Sequence, residues 1–321
     1  MVLDGGSVQQ VESVASGDVA SLADRASAAM NHYLETNHLI HHVQDATYFE
    51  APKFLTPGGT GHFDIPQIVG KESHLLSWGD QVLLTGRITK FMILELVAAL
   101  LVIGAFVWLA KRIRSGQKPR GRTWNLLEAL VVFVRDNIAR PSIGEHDAHR
   151  FLPFLLTLFF FILVLNLLGM IPFLGSATGA IAVTAIFAIS TFLVVIGSGM
   201  KRLGVVGFAK AQVPHMELHP AMAIALVPGL WCLEVFGLLV KHFVLSIRLF
   251  ANMFAGHLVL GVFIGLIGVA AASTWLFITA TPLIVLAAIA LSMLELFVAF
   301  LQAYVFTCLA ALFIGAAIHP H

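Results

Sequence analysis

Long apolar segments alternate with short polar ones over the last three quarters of the chain. The first covers residues 91–110, which matches the roughly 20 residues that a helix needs to cross a bilayer. Trp108 lies near its end and suits the membrane–water interface. Two similar segments cover residues 151–171 and 181–200. The pattern predicts three transmembrane helices in this part of the chain.

The apolar segments at residues 221–269 and 275–318 are much longer than one membrane crossing. At a rise of roughly 1.5 Å per residue, the first would form a helix about 70 Å long. The hydrocarbon core is only about 30 Å thick, and helices tilt by about 20° on average. We therefore expect two over-long helices that are broken or steeply tilted, with a hairpin turn at residues 271–274. The chain is thus predicted to be an all-α integral membrane protein with five transmembrane helices.

The remaining segments are polar or amphipathic. Residues 1–85 read as an extramembrane N-terminal extension, with loose helical periodicity at residues 11–33 and a Gly/Pro-rich loop at residues 52–66. Residues 86–321 then form the membrane domain. Within it, residues 124–138 place apolar side chains at helical spacing between charged ones, which is typical of an amphipathic helix at the membrane surface.

Charge position indicates the orientation in the membrane. Six bases and no acid follow the first apolar segment: Lys111, Arg112, Arg114, Lys118, Arg120 and Arg122. Basic loops stay on the cytoplasmic side, so this loop is predicted to be cytoplasmic. The N-terminal extension then lies outside, and five crossings leave the C-terminus in the cytoplasm.

Composition excludes several classes of function. Of the 321 residues, 58% are hydrophobic and 12% are charged, whereas soluble domains carry about 25% charged residues. The net charge of +1 and the two cysteines argue against nucleic-acid binding, a disulfide framework and a cysteine metal site. No nucleotide-binding or metalloprotease motif occurs. We predict no metal, no cofactor and no ATP catalysis by this chain alone.

Only four charged side chains follow residue 220, and they are Glu234, Lys241, Arg248 and Glu295. An arginine at membrane depth costs about 2.5 kcal/mol or more, and it keeps its proton. On a helix, Asn252 and Glu234 each lie about 40° from Arg248, whereas His257 lies about 180° away. One face therefore presents a permanent cation with an amide, and the other presents a group that titrates near neutral pH.

The second long segment offers partners for these groups. Glu295 and Gln302 are seven residues apart and share a helix face. In an antiparallel hairpin, Arg248 would lie level with Gln302 and His257 level with Glu295. A single intramembrane His often serves only as a hydrogen-bonding residue between helices, and a single Glu can be protonated. Four such groups at matched depths favour a polar pathway.

Three motifs carry a family resemblance. They are SIRLFANMFAGH at residues 246–257, NLLGMIP at residues 166–172 and LQAYVF at residues 301–306. Together, over residues 85–318, the chain resembles subunit a of F-type ATP synthases. The resemblance implies that Arg248 is the stator arginine that faces the carboxylates of the rotating c-ring, with Asn252 and Gln302 as its polar neighbours.

The resemblance also implies a proton pathway. The family has a coupled pair on its last two helices, commonly an acid and then a histidine. Here the order is exchanged to His257 and Glu295, which resembles the mitochondrial arrangement. Glu234 matches a family acid of the access pathway. Two offset half-channels would then load and unload protons on the c-ring carboxylates, while the rotor's own ligands would set the choice between H⁺ and Na⁺.

The implied partners are the c-ring, the b subunits of the peripheral stalk, the other synthase subunits, membrane lipid and the transported proton. No nucleic-acid partner is predicted, and the implied location is the bacterial inner membrane. The main alternative is a proton- or ion-coupled secondary transporter, which also places Arg, His and Glu at mid-membrane. It predicts inverted repeats, and none is visible. A third reading is a structural membrane anchor, but it gives no reason for an arginine in lipid at residue 248.

Overall fold

The computed structural model describes residues 46–50, 62–66, 74–78, 81–85, 88–114, 121–171, 174–212, 220–271 and 273–319. The helix expected at residues 11–33 lies outside these ranges. Most of the described chain is helical, and strands occur only before residue 86 in the described ranges.

Two short antiparallel strand pairs precede the helices. They comprise β1 (Tyr48–Glu50) with β2 (His62–Asp64), and β3 (His74–Trp78) with β4 (Gln81–Thr85). In the first pair Phe49 lies opposite Phe63. The loop predicted at residues 52–66 is therefore wrong at residues 62–64, which form β2. A strand of three residues is too short to show the apolar alternation that identifies a strand.

Seven α-helices follow in the described ranges: α1 (Lys90–Arg114), α2 (Arg122–Phe133), α3 (Arg140–Ile143), α4 (Glu145–Gly169), α5 (Ile181–Ala211), α6 (Pro220–Ala270) and α7 (Thr274–Ile318). Five of them, α1 and α4 to α7, are long and apolar enough to cross a membrane. The prediction of five such helices is confirmed. The 51-residue helix α6 ends at Ala270, and the 45-residue helix α7 begins at Thr274.

The amphipathic segment differs from its prediction. It begins as α2 but continues as a π-helical segment, Val134–Ala139, before α3. Val134 and Ile138 are fully buried in the protein, so this part of the segment contributes to the core. On its polar side, Arg135 and Arg140 each approach the Asp136 carboxylate at 2.8 Å. The hydrogen bonds that Arg135 donates hold the pKa of Asp136 below its usual range.

The chain divides into two compact units. The described part of the smaller unit is residues 254–271 and 273–296, and the larger unit holds the rest of the described chain. The core of the larger unit surrounds α4, where Leu155, Phe159 and Ile162 are fully buried. Leu249 of α6 and Phe306 of α7 join this core. The parts of α6 and α7 that belong to the larger unit are thereby packed against its core.

The long helices are poorly covered by the rest of the chain. Across a membrane-length window, 17% of α6 residues and 11% of α7 residues are buried, against 44% for α4. Their exposed side chains are mostly large and apolar, including Phe236 and Phe297. These surfaces require lipid or another protein to cover them, because apolar area of this extent is unfavourable in water.

Candidate functional site

A buried stripe on α6 sets the direction of its polar face. Leu245, Leu249 and Met253 follow one another at a spacing of four residues and are at most 2% exposed. Arg248 is half-buried and Asn252 is exposed. Because residues four apart are neighbours on a helix, the guanidinium and the amide lie on adjacent turns, beside the buried stripe.

The charge of Arg248 is not neutralised by the described part of the chain. The ion pairs within 4.0 Å in the described part of the chain do not include Arg248. An arginine remains charged at any physiological pH, and its burial in hydrocarbon is costly. The anion that balances Arg248 must therefore come from water, lipid, a partner protein or residues outside the described ranges.

Glu234 forms an ion pair within its own helix. Its carboxylate lies 3.6 Å from the Lys241 ammonium, and both side chains are about half exposed. The two residues are seven apart, so they share a face of α6. The structure therefore pairs Glu234 with Lys241 rather than with Arg248.

In the smaller unit, Glu295 of α7 lies against α6 at Gly256. A Cβ built on Gly256 would be 2.7 Å from Glu295 Oε1, so a larger residue at this position would force the carboxyl group to shift. Glu295 is 5% exposed. The contact places the carboxyl beside the residue that precedes His257, which is itself half-buried.

Gln302 is buried on α7 in the larger unit. One turn earlier, the Ala299 carbonyl accepts a hydrogen bond of 3.2 Å from the Asn166 side chain of α4. Asn166 is fully buried, so this bond is shielded from competing water. It fixes the position of α7 next to Gln302.

The family model described as ATP synthase A chain matches residues 92–315. This chain belongs to that family.

Curated relatives support the assignment along most of the chain. The ATP synthase subunit a of Myxococcus xanthus is 42% identical over 73% of this chain and 75% of its own length. That of Chloroherpeton thalassium is 40% identical over 95% of this chain and 83% of its own. That of Anaeromyxobacter sp. (strain Fw109-5) is 39% identical over 88% of this chain and 70% of its own length. With five helices able to cross a membrane, the chain is a multi-pass membrane subunit of the ATP synthase A chain family.

Several buried polar residues of this family member were not identified from its sequence. Ser246, two residues before Arg248, donates a hydrogen bond of 3.1 Å to the Thr184 hydroxyl of α5. Thr184 in turn donates to the Ile181 carbonyl. Both hydroxyls are buried, and together they tie α6 to α5 close to the stator arginine implied by the resemblance. Small hydroxyl side chains hardly change local hydropathy, so the sequence pattern gave no signal for them.

His242 is a second such residue. It is buried on α6, and its ring packs between those of Phe192 and Phe313 at centroid distances of 5.2 and 5.0 Å. Its Nδ1 lies 2.9 Å from the Leu238 carbonyl oxygen. The only signal in the sequence was a histidine inside an apolar run.

Among the described residues, no group of three or more His, Cys, Asp or Glu could hold a metal ion.

Proposed function

We propose that this chain is the proton-channel stator subunit of an F-type ATP synthase. Two offset half-channels would load and unload protons on the carboxylates of a rotating c-ring. Family membership supports the place in the complex. The observation that carries the mechanism is Arg248, a permanent cation in an apolar helix without a carboxylate partner in the described part of the chain. A c-ring carboxylate supplies the missing anion.

Arg248 acts electrostatically on each arriving c-ring carboxyl group. A nearby fixed cation favours the ionised carboxylate, so the group releases its proton as it approaches. The same charge repels a proton that would otherwise pass directly from one half-channel to the other. A carboxyl that has been protonated again is neutral and rotates into lipid at a tolerable cost. Arg248 therefore promotes release and prevents leakage.

The outer half-channel leads through His257 and Glu295. A histidine exchanges protons near neutral pH, and a carboxyl group can pass them on. The contact between Glu295 and Gly256 supports this route, because it holds the carboxyl beside the turn of α6 that carries His257. Either residue can relay a proton through the other, so the exchanged order preserves function.

Asn252 and Gln302 surround Arg248. Arg248 lies eight residues before Gly256, and Gln302 lies seven residues after Glu295. In an antiparallel hairpin of the two helices, Arg248 and Gln302 would reach the same depth. Amide groups solvate the guanidinium without neutralising it, which leaves its charge available to the rotor. Glu234, about half exposed, belongs to the access pathway.

The proposal also covers the rest of the molecule. Residues 1–85 lie outside the membrane and residues 86–321 within it, with the N-terminus outside and the C-terminus in the cytoplasm. The b subunits of the peripheral stalk hold this subunit while the c-ring turns. Each proton yields about 2.3 kcal/mol per 100 mV, so several are required for each ATP. Rotation adds their contributions.

Replacement of Arg248 in the assembled complex tests the proposal. Membrane vesicles carrying Arg248→Ala should show no ATP-driven proton pumping, a raised passive proton leak and a normally assembled complex. Arg248→Lys should also fail, since lysine lacks the planar guanidinium and can lose its proton when desolvated. The matched control is Lys201→Gln, which removes an exposed cation of α5 that lies outside the proposed pathway and should retain pumping.

The opposite result is equally informative. Pumping near the wild-type rate in Arg248→Ala vesicles, with the complex intact, would contradict the stator role. It would favour the two alternatives, a secondary transporter or a structural membrane anchor.

A further inference from the structure

One side of α6 carries the contacts that hold this helix in the larger unit. Between residues 242 and 253 its buried side chains, at most 3% exposed, are His242, Leu245, Ser246, Leu249 and Met253. The opposite side is equally apolar but exposed, as at Phe243 and Ile247. Because lipid and protein interior are alike to an apolar side chain, hydropathy does not fix the rotation of α6 about its own axis.

A polar contact on the buried side joins α6 to α5. Ser246 donates a hydrogen bond of 3.1 Å to the Thr184 hydroxyl, and Thr184 is fully buried. Water cannot replace this bond in the interior, so its loss leaves a buried hydroxyl unpaired. The two oxygen atoms meet only when Ser246 points at α5. The bond therefore selects one rotation of α6.

His242 supplies a second fixed point, one turn earlier on the same side. Its ring packs between Phe192 of α5 and Phe313 of α7, at centroid distances of 5.2 and 5.0 Å. Its Nδ1 lies 2.9 Å from the Leu238 carbonyl oxygen. A carbonyl oxygen only accepts hydrogen bonds, so Nδ1 donates and fixes the direction of the ring. Rotation of α6 would have to withdraw this ring from between the two phenylalanines.

We propose that Ser246 and His242 are positioning residues, which hold α6 at the rotation that keeps Arg248 at the edge of the buried side. Arg248 lies about 160° around the helix from Ser246 and about 120° from His242. A rotation that breaks either contact therefore also turns the guanidinium. The consequence for transport rests on the proposed function, because a displaced Arg248 no longer opposes proton leak between the half-channels.

Disulfide trapping in the assembled complex measures this rotation. Thr184 and Phe192 both contact α6, so Ala188, midway between them at a spacing of four residues, faces α6 as well. Ile247 points away from α5 in the structure and is 37% exposed. Ala188→Cys and Ile247→Cys should therefore crosslink slowly on oxidation, since only a rotated α6 brings the two thiols together. The native cysteines are first replaced by serine.

In that background, Thr184→Val removes the acceptor of the Ser246 hydroxyl while preserving the shape of the side chain. An unpaired buried hydroxyl shifts an equilibrium about fivefold or more. The crosslinking rate and the passive proton leak per assembled complex should both rise by about that factor. His242→Ala, which removes the ring between the two phenylalanines, should raise both quantities as well.

Two control variants separate positioning from a general loss of stability. Thr184→Ser retains the hydroxyl and should keep the crosslinking rate and the leak of the parent. Thr191→Val removes another fully buried hydroxyl of α5, which donates to the Phe187 carbonyl of its own helix. It should also match the parent in both measurements. If His242→Ala does not assemble, the Thr184 variants decide the question.

The outcomes distinguish this inference from the proposed function. Parent-like crosslinking in Thr184→Val would overturn the positioning role, even where Arg248→Ala abolishes pumping. Faster crosslinking with an unchanged leak would overturn the link between the rotation of α6 and Arg248. Normal pumping by Arg248→Ala contradicts the proposed function itself, whatever the crosslinking rates are.

Discussion

The charged residues of α6 differ in whether the chain itself supplies a counterion. Glu234 and Lys241 form an ion pair across two helical turns, whereas Arg248 has no ion-pair partner in the described part of the chain. A charge in hydrocarbon that has no counterion in the described part of the chain is costly, so it requires compensation from outside that part.

Gly256 offers a direct test at this scale. In Gly256→Ala, the new methyl group meets the Glu295 carboxyl and displaces it. Misplacement of a reacting group by about 1 Å can cost about a hundredfold, so ATP-driven proton pumping should fall by between several-fold and a hundredfold. The helix itself should gain about 0.5–1 kcal/mol, since alanine favours helix more than glycine does.

Gly237→Ala is the matched control for that variant. Gly237 lies in the same helix, and nothing lies within 4 Å of a Cβ built there. It should pump at the wild-type rate. Equal pumping by the two variants would show that the position of Glu295 against Gly256 is irrelevant to proton transfer.

At the scale of elements, α5 shows how one glycine redirects a helix. Its apolar run was expected to end at residue 200, but the helix continues to Ala211 across a kink at Gly204, with φ 74° and ψ 165°. Beyond the kink, the Phe208 ring covers Gly199 so closely that a Cβ there would overlap it. The turn of helix after Gly204 thus folds back onto the preceding part of α5.

Gly204→Ala should destabilise this arrangement. Residues other than glycine rarely adopt the backbone conformation of Gly204, and holding alanine in it costs about 1–3 kcal/mol. We expect a lower thermal unfolding midpoint for the purified full chain in detergent. Gly197→Ala, in the same helix with open space at its Cβ position, should match or exceed the wild-type midpoint. A midpoint unchanged by Gly204→Ala would contradict the strain argument.

At the scale of the whole molecule, the two longest helices are also the least covered by the chain. A membrane protein that functioned alone could leave such surfaces to lipid. This chain belongs to the ATP synthase A chain family, and the half-buried Arg248 lies on one of these two helices. Lipid or another protein therefore has to cover the apolar surfaces that the described chain leaves exposed.

The proposed orientation can be measured on the intact protein. With the native Cys232 and Cys308 replaced by serine, a cysteine at Ser16 should react with a membrane-impermeant maleimide in cells whose inner membrane is intact. A cysteine at Ser115, in the basic loop, should react only after that membrane is permeabilised. The reverse labelling pattern would place the extension in the cytoplasm and invert the topology.

Local sequence determined the membrane-spanning elements, because bilayer thickness imposes a length on every apolar segment. It therefore predicted the five long helices and the break after residue 270, and it singled out Arg248 through the cost of a charge in hydrocarbon. It did not predict β2 or the continuation of α5, which depend on a three-residue pairing and on one glycine's backbone angles.

Only the tertiary structure decided which side of each helix faces the protein. The bond from Asn166 to Ala299 joins residues 133 positions apart, and that from Ser246 to Thr184 spans 62. The two phenylalanine rings that pack against His242 likewise come from α5 and α7. Such contacts depend on the packing of distant segments, whereas hydropathy records only local chemistry. Apolar helices in lipid carry little amphipathic signal, since lipid and protein interior are equally apolar.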